Sequence, residues 1–249
     1  MFDNAFFAKF PQSRHTFVDD NGEERTYEFP TFYQGTRGMV SFYSCSWAKA
    51  AASLPSGRLI PVPAGFGKAL LTVGCFEYLN PKGMGPYNEV LFAIPAIHIK
   101  KQAGLPDFGL FIKRLIVDVE ENVQRGKHIW GMDKSMGEIQ FFEESGMRVC
   151  EVHRNGREGL RIEAPQEGPS ARFTRDGKIF TEKDGKLLTA RSAMSGRRKI
   201  TRGKAKISLL ADPFAAELDS MELSERPLRT EFYSSVDHIM GLPQDSEPL

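Results

Sequence analysis

Apolar positions fall in short runs separated by turn residues, and most of these runs read as strands. Residues 68–78 are rich in apolar side chains, residues 89–100 carry Val-Leu-Phe-Ala-Ile-Pro-Ala-Ile-His-Ile, and residues 111–119 read Phe-Ile-Lys-Arg-Leu-Ile-Val-Asp-Val. Such β-branched and aromatic runs suit a pleated, half-buried surface. Pro95 inside the second run predicts a sheet edge or a bulge, because proline cannot donate to a ladder. Residues 137–142 and 147–153 read as a hairpin turning at Glu144-Ser145-Gly146. Residues 178–181 and 186–190 read as another, with Asp184-Gly185 as the turn. Asp-Gly supplies the positive φ angles that tight hairpins need.

Helical patterns are few. Residues 44–53 are Ala-rich and stopped by Leu54-Pro55, which predicts one short helix. Residues 119–125 read as a helical turn or a connection, and a terminal helical turn is expected over 235–240, ending at Gly241. The basic run 191–206, interleaved with Ser, Gly and Thr, reads as a solvated loop or edge strand in preference to a phosphate-binding patch. There is no fixed-period repeat. The expectation is an α+β, mainly β single domain over 1–249 with a barrel-like sheet, a 1–30 N-terminal arm and a solvated 244–249 tail.

Composition narrows the function classes. A net charge of +1 gives no general electrostatic case for nucleic acid or an anionic membrane as partner. No run approaches the ~18 apolar residues of a membrane span, and the N-terminus lacks the basic start of a signal peptide. Cys45, Cys75 and Cys150 are far apart with no C-x-x-C spacing, so reduced thiols in the cytoplasm are expected. His15, His98, His128, His153 and His238 are dispersed, with no i, i+4 pair, so no metal site is expected, and His98 reads as a core histidine. Hydrolase elbows, Walker A loops and dinucleotide fingerprints are absent, Gly83-Met84-Gly85-Pro86 reads as a turn, and no cofactor is expected.

The segment that carries chemistry is Gly126-Lys-His-Ile-Trp-Gly-Met-Asp-Lys-Ser-Met-Gly137. Lys134 stands among Trp130, Met132 and Met136, followed by Ile139 and Phe141. An ordinary lysine is neutral only about once in several thousand molecules at neutral pH. An apolar setting strips hydration from an ammonium and favours the free amine, which is the nucleophile. Taken alone, a lysine in a loop is a surface group; the apolar company sets this one apart.

This segment resembles the active-site stretch of acetoacetate decarboxylases, where a Gly-Arg-Glu-Leu-type entry leads through Pro-Lys-Lys-Leu-Gly. Aligned without gaps, Lys134 falls on the family's Schiff-base lysine. Gly83-Met-Gly-Pro-Tyr-Asn-Glu89, followed by Ala93-Ile-Pro95, is similar to the family's Gly-x-Gly-x-Tyr-x-Glu…Ile-Pro block and places Glu89 on an active-site glutamate, with Tyr87 beside it. Phe232-Tyr-Ser-Ser-Val-Asp-His-Ile-Met240 is close to a C-terminal Ser-Ser-x-His block. The sequence departs from the family in two places. Ser135 replaces the family's second lysine, and a family glutamate falls near Gly74 and is missing. Arg37 is the nearest candidate for the family's N-terminal arginine.

The resemblance implies a cone-like antiparallel β-barrel with few short helices and a homo-oligomer acting on a small-molecule keto acid. Lys134 and Glu89 would be catalytic, with Tyr87, Arg37, Trp130, Met132 and Met136 against the substrate. Lysine activation by an apolar pocket or a neighbouring cation is the known device of acetoacetate decarboxylase. With Ser135 in place of that cation, decarboxylation of a β-keto acid shares the field with aldol condensation or dehydration through a Lys134 enamine. A non-catalytic barrel binding an apolar ligand is the third reading.

Overall fold

In the computed structural model, residues 2, 4–18, 22–55, 57–99, 106–210 and 212–248 are described. The chain opens with a 3-10 turn at Phe7–Lys9 and the hairpin of β1 (Ser13–Val18) and β2 (Glu24–Phe29). There follow β3 (Thr31–Ser46), α1 (Trp47–Ala52), β4 (Leu59–Pro61), β5 (Lys68–Tyr78), β6 (Asn80–Pro81), β7 (Tyr87–His98) and β8 (Asp107–Val117). After α2 (Glu120–Trp130) and the short β9 (Lys134–Met136) come β10 (Glu138–Glu144), β11 (Met147–Arg154) and β12 (Arg157–Pro165). The last part holds β13 (Ser170–Lys183), β14 (Lys186–Thr201), β15 (Lys206–Leu209), α3 (Pro213–Ser220) and β16 (Arg229–Pro248). The mainly-β expectation with few short helices holds. No helix among the described residues is long and apolar enough to cross a membrane.

Neighbouring strands of the large sheet run β7-β5-β3-β16-β14-β13-β8, and β8 pairs back with β7, so the pairings form a cycle. The sheet is not wholly antiparallel as expected: β8 runs parallel to both β13 and β9. Parallel neighbours need a long connection. Between β8 and β13 that connection contains α2, β9 and β10–β12. Strands β10-β11-β12-β15 make a separate four-stranded sheet. It covers the outer face of the cycle, where Met39, Tyr43, Leu71 and Phe92 share one core with Val152, Leu160 and Ile162. A second core occupies the inner face, built from Tyr33, Phe76, Tyr78, Tyr87, Leu91 and Tyr233 among others. Alternation along each strand thus sends one set of apolar side chains to each core.

Both predicted hairpins form. Their turns place Ser145-Gly146 and Asp184-Gly185 at φ 50°, 78°, 52° and 68°, the left-handed pairs that match strand twist. The second hairpin extends far beyond its turn, from Ser170 to Thr201.

Several expectations give way. Pro95 is not at an edge, because β7 has neighbours on both sides. Pairing with β5 ends at Ala93 and pairing with β4 begins at Ala96, so the missing N–H falls where one partner hands over to the next. The carbonyl of Pro95 accepts from Val62 N there. The helical turn over 235–240 is instead part of β16, whose pairing with β3 is interrupted by irregularities at Tyr233/Val236 and Val236/His238. Those irregularities broke the alternation that marks a strand. Residues 244–248, read as a tail, continue β16 against the start of β14. The basic run 191–206 begins inside β14, which lies between β13 and β16 and is not an edge. The helix begun at 119–125 runs on to Trp130. The N-terminal arm packs down: Phe7 and Phe29 are both buried.

Candidate active site

Helix α2 stops at Gly131, whose φ of 66° is left-handed. The amides of Gly131 and Met132 close back on the carbonyls of Lys127 and Gly126. A glycine meets this conformation at little cost. The chain then turns sharply into β9, where Lys134 pairs with Leu115 of β8. The lysine side chain lies across the backbone of Gly126. A Cβ there would stand 2.5 Å from Lys134 Cδ and 2.6 Å from Cε.

Lys134 Nζ donates to Glu89 Oε2 at 2.8 Å, and both side chains are only 8% exposed. The two residues are 45 positions apart, and the β7–β8–β9 ladder brings them together. On the other carboxylate oxygen, Tyr78 donates its hydroxyl to Glu89 Oε1 at 3.4 Å. Tyr87 stacks near Tyr78, with ring centroids 4.7 Å apart, and is hydrogen-bonded to Tyr33. Burial first, then the Glu89 charge, pushes the Tyr78 phenol well above its ordinary value. Burial also raises Tyr87, followed by the neighbouring Tyr33, Glu89 and Tyr78. Both hydroxyls therefore keep their protons and act as donors.

A cavity of about 120 Å³ opens beside this pair, lined mostly by apolar and aromatic side chains. Trp130 and Met132 form part of its wall, and Trp130 is fixed by donating Nε1–H to the carbonyl of Gly241 at 2.9 Å. The structure thus brings together Lys134, Glu89, Tyr87, Trp130 and Met132. It does not bring Met136, which is 40% exposed at the end of β9, nor Arg37. Arg37 projects from the outer side of β3, the side of Met39 and opposite to Val40, and lines a separate cavity with Glu77 and Arg148. A guanidinium that sequence reasoning passed over, Arg125 of α2, is buried beside Trp130 and donates to Thr31 Oγ1 at 2.6 Å.

His238 is a further lining residue not singled out from sequence. It stacks on Tyr33 at 5.2 Å, and its Nε2 lies 3.1 Å from Ser192 Oγ. Desolvation pushes the imidazole down to about 4, so it is neutral at physiological pH. The C-terminal block ending at 240 contains it, but dispersed histidines show no local spacing that marks a cavity wall. The two departures near Lys134 also have structural counterparts. Ser135 Oγ is buried with no hydrogen-bond partner among the described residues. At Gly74 an added Cβ would stand 3.0 Å from Phe76 and 3.2 Å from Leu91, so a side chain there needs both neighbours to shift.

A family model described as acetoacetate decarboxylase (ADC) matches residues 18–242. No curated protein matches the chain. Among solved structures, acetoacetate decarboxylase from Legionella pneumophila superposes with a TM-score of 0.66 at 10% identity, covering 87% of this chain and 88% of that one. An acetoacetate decarboxylase-like enzyme from Sphingomonas wittichii gives 0.56 at 16% identity over 92% and 98%. The enduracididine biosynthesis enzyme MppR, complexed with the condensation product of pyruvate and imidazole 4-carboxaldehyde, gives 0.58 at 12% identity over 88% and 89%. At these identities the superpositions speak for the fold.

Proposed function

The chain belongs to the acetoacetate decarboxylase family, and from that premise we propose that Lys134 forms a Schiff base with a keto acid and drives loss of its carboxylate. The observation that carries this reading is the buried Lys134–Glu89 pair at 2.8 Å beside an apolar cavity. We take the cycle of strand pairings to be the cone-like barrel that encloses it.

The pair holds one transferable proton. Passing it to Glu89 frees the amine, whose lone pair attacks the ketone carbon and gives a carbinolamine. Glu89 returns the proton to the departing hydroxyl, which leaves as water, and the nitrogen becomes an iminium. In a β-keto acid the carbon–carbon bond to the carboxylate then breaks. Carbon dioxide leaves, and the electron pair passes to the iminium as an enamine. Protonation at carbon and hydrolysis release the ketone and the amine. Tyr78 and Tyr87, held protonated, orient Glu89 and the oxygen of the adduct. Trp130 and Met132 keep bulk water away from the iminium.

A second reading has its own support. Ser135 beside the nucleophile and the crowded Gly74 remove two groups of the decarboxylase pattern. The same enamine could then add to an aldehyde, which is aldol-type chemistry, and MppR was solved with a condensation product. Reduction with borohydride in the presence of a panel of keto acids, followed by peptide mass spectrometry, tests both. The expected result is one substrate-derived mass on Lys134. An adduct on another lysine, or none at all, overturns the Schiff-base proposal, and product analysis separates carbon dioxide release from carbon–carbon bond formation.

A further inference from the structure

The inner face carries a second buried carboxylate that the chemistry above does not use. Glu231 of β16 is fully buried and receives three guanidiniums. Arg175 Nη2 lies 3.1 and 3.0 Å from its two oxygens, Arg198 Nη1 3.0 Å from Oε2 and Arg229 Nη2 2.6 Å from Oε1. Tyr233 adds its hydroxyl at 2.5 Å. Burial pushes the Glu231 carboxyl up, but Arg175, Tyr233, Arg229 and Arg198 together outweigh it and hold it below the ordinary range. The carboxylate is therefore ionised, and three cations on one anion leave two positive charges uncompensated.

These guanidiniums are held in place. Arg198 lies over Phe173 at 4.9 Å and Arg229 over Phe42 at 4.7 Å, so stacking and the carboxylate fix their planes. Their side chains remain 22–40% exposed, which leaves donors free to face a ligand. Arg198 Nε is a buried donor with no hydrogen-bond partner among the described residues.

The cluster borders the Lys134 cavity. Met194 lines that cavity and stands directly opposite Arg175 in the β13–β14 ladder. On β13, Ile179 lines the cavity, and the next two inner-face positions are Gly177 and Arg175, a step of about 7 Å each. A Cβ at Gly177 would meet no atom within 4 Å, so nothing fills the position between them. Exposure points the same way: Tyr78, Tyr87, Glu89 and Leu91 are buried, whereas Leu110, Ile179, Ser192 and Met194 are half-buried. Along Leu110, Ile179, Ser192 and Met194 the cavity wall is more exposed than around Tyr78, Tyr87 and Glu89.

We propose that Arg175, with Arg198 and Arg229 behind it, binds a second carboxylate at the far end of the substrate chain, so that the preferred substrate is a dicarboxylic keto acid. This rests on the Schiff-base reading of Lys134. The carboxylate that leaves in decarboxylation is one carbon removed from the carbonyl carbon that Lys134 attacks, and so lies close to Lys134. The mouth lies beyond Ile179 and Gly177 and suits an anion separated from that centre by an apolar spacer.

The test compares 3-oxo monoacids with 3-oxo diacids of equal chain length, over a series of lengths, using wild type, Arg175→Gln and Arg172→Gln. Arg172 is an exposed neighbour on β13 outside the cluster. Wild type is expected to prefer one diacid in kcat/KM. Arg175→Gln is expected to reduce that diacid-over-monoacid ratio about 10- to 100-fold, the scale of a charge-assisted hydrogen bond, while Arg172→Gln keeps it. Equal kcat/KM for both members of every pair, or a preference untouched by Arg175→Gln, overturns the proposal. Calorimetry with saturated α,ω-dicarboxylates needs no Schiff base. If borohydride traps nothing on Lys134, diacid binding that Arg175→Gln weakens still supports the mouth, and absence of binding removes it.

Discussion

Two carboxylates buried on the inner face of the sheet are treated in opposite ways. Glu89 meets a single ammonium 2.8 Å away, so the pair is matched in charge, and in the proposed reaction a proton passed between them leaves both groups neutral. Glu231 meets three guanidiniums, none of which gives up a proton, and it is locked as an anion. Matched charge beside a mobile proton suits chemistry. Excess charge beside fixed donors suits recognition. Lysine serves the first role and arginine the second, because only the ammonium has a neutral form within reach.

The largest effect that would sharpen this contrast is expected at the lysine. Lys134→Ala should lower turnover by at least about 10³-fold, as loss of a covalent nucleophile does, and abolish the borohydride adduct. Steady-state kinetics that survive in the folded variant would remove Lys134 from the reaction. Glu89→Gln should reduce turnover roughly 10²-fold, the scale of a positioned acid or base. An unchanged rate would make Glu89 a structural carboxylate.

Glu231→Gln should act on stability. It leaves three guanidiniums without their anion, which for a fully buried pair costs about 3–5 kcal/mol. Partial exposure of the arginines screens this to about 2 kcal/mol, roughly 30-fold in the folding constant. Urea unfolding measures it, and a midpoint equal to wild type would mean that the cluster stores no such strain when its anion is removed. Gly126→Ala should displace the Lys134 side chain and lower turnover about 10-fold with little change in melting temperature. Unaltered kcat there would show that the lysine has room to move aside.

The smallest effect concerns acid. His238 titrates near 4 in the folded chain because burial disfavours its charged form. As pH falls below about 6.5, the unfolded chain takes up the proton first, so stability present above that point is lost toward pH 4. The loss should be about 1 kcal/mol by pH 5.5, and His238→Gln should flatten that part of the pH–stability curve. Equal slopes in both proteins would place the imidazole in contact with water.

What could be read in advance followed the range of the pattern. The runs at 68–78 and 111–119, the two turns and the Ala-rich helix depend on neighbours in sequence, and each appears. Lys134 and Glu89 stand in ordered local blocks of the sequence, and the structure pairs them. Arg37 was placed across a gap, and alternation along β3 sends it to the outer face. Residues 235–240 do not show a strand period in sequence, because pairing irregularities in β16 interrupt it. The Glu231 cluster drew its arginines from β13, β14 and β16, and no spacing along the chain announces it. His238 was lost in the same way, since its wall is shared among strands distant in sequence.

Strand β16 supplies both parts of this arrangement: Glu231 and Tyr233 in the arginine cluster, His238 and Met240 in the cavity wall. It also joins β3, where Ser41 and Thr230 share a hydrogen bond across 189 residues at 2.9 Å. During synthesis, β3 emerges from the ribosome long before its partner exists, and until then its edge toward β16 has no mate. Contacts of such separation slow folding and leave sheet edges open to other chains. At about 5–20 residues per second, the wait from β3 to β16 lasts roughly 10–40 seconds. A nascent-chain holdase that shields β3 over that interval should raise the yield of active protein more than one acting after release.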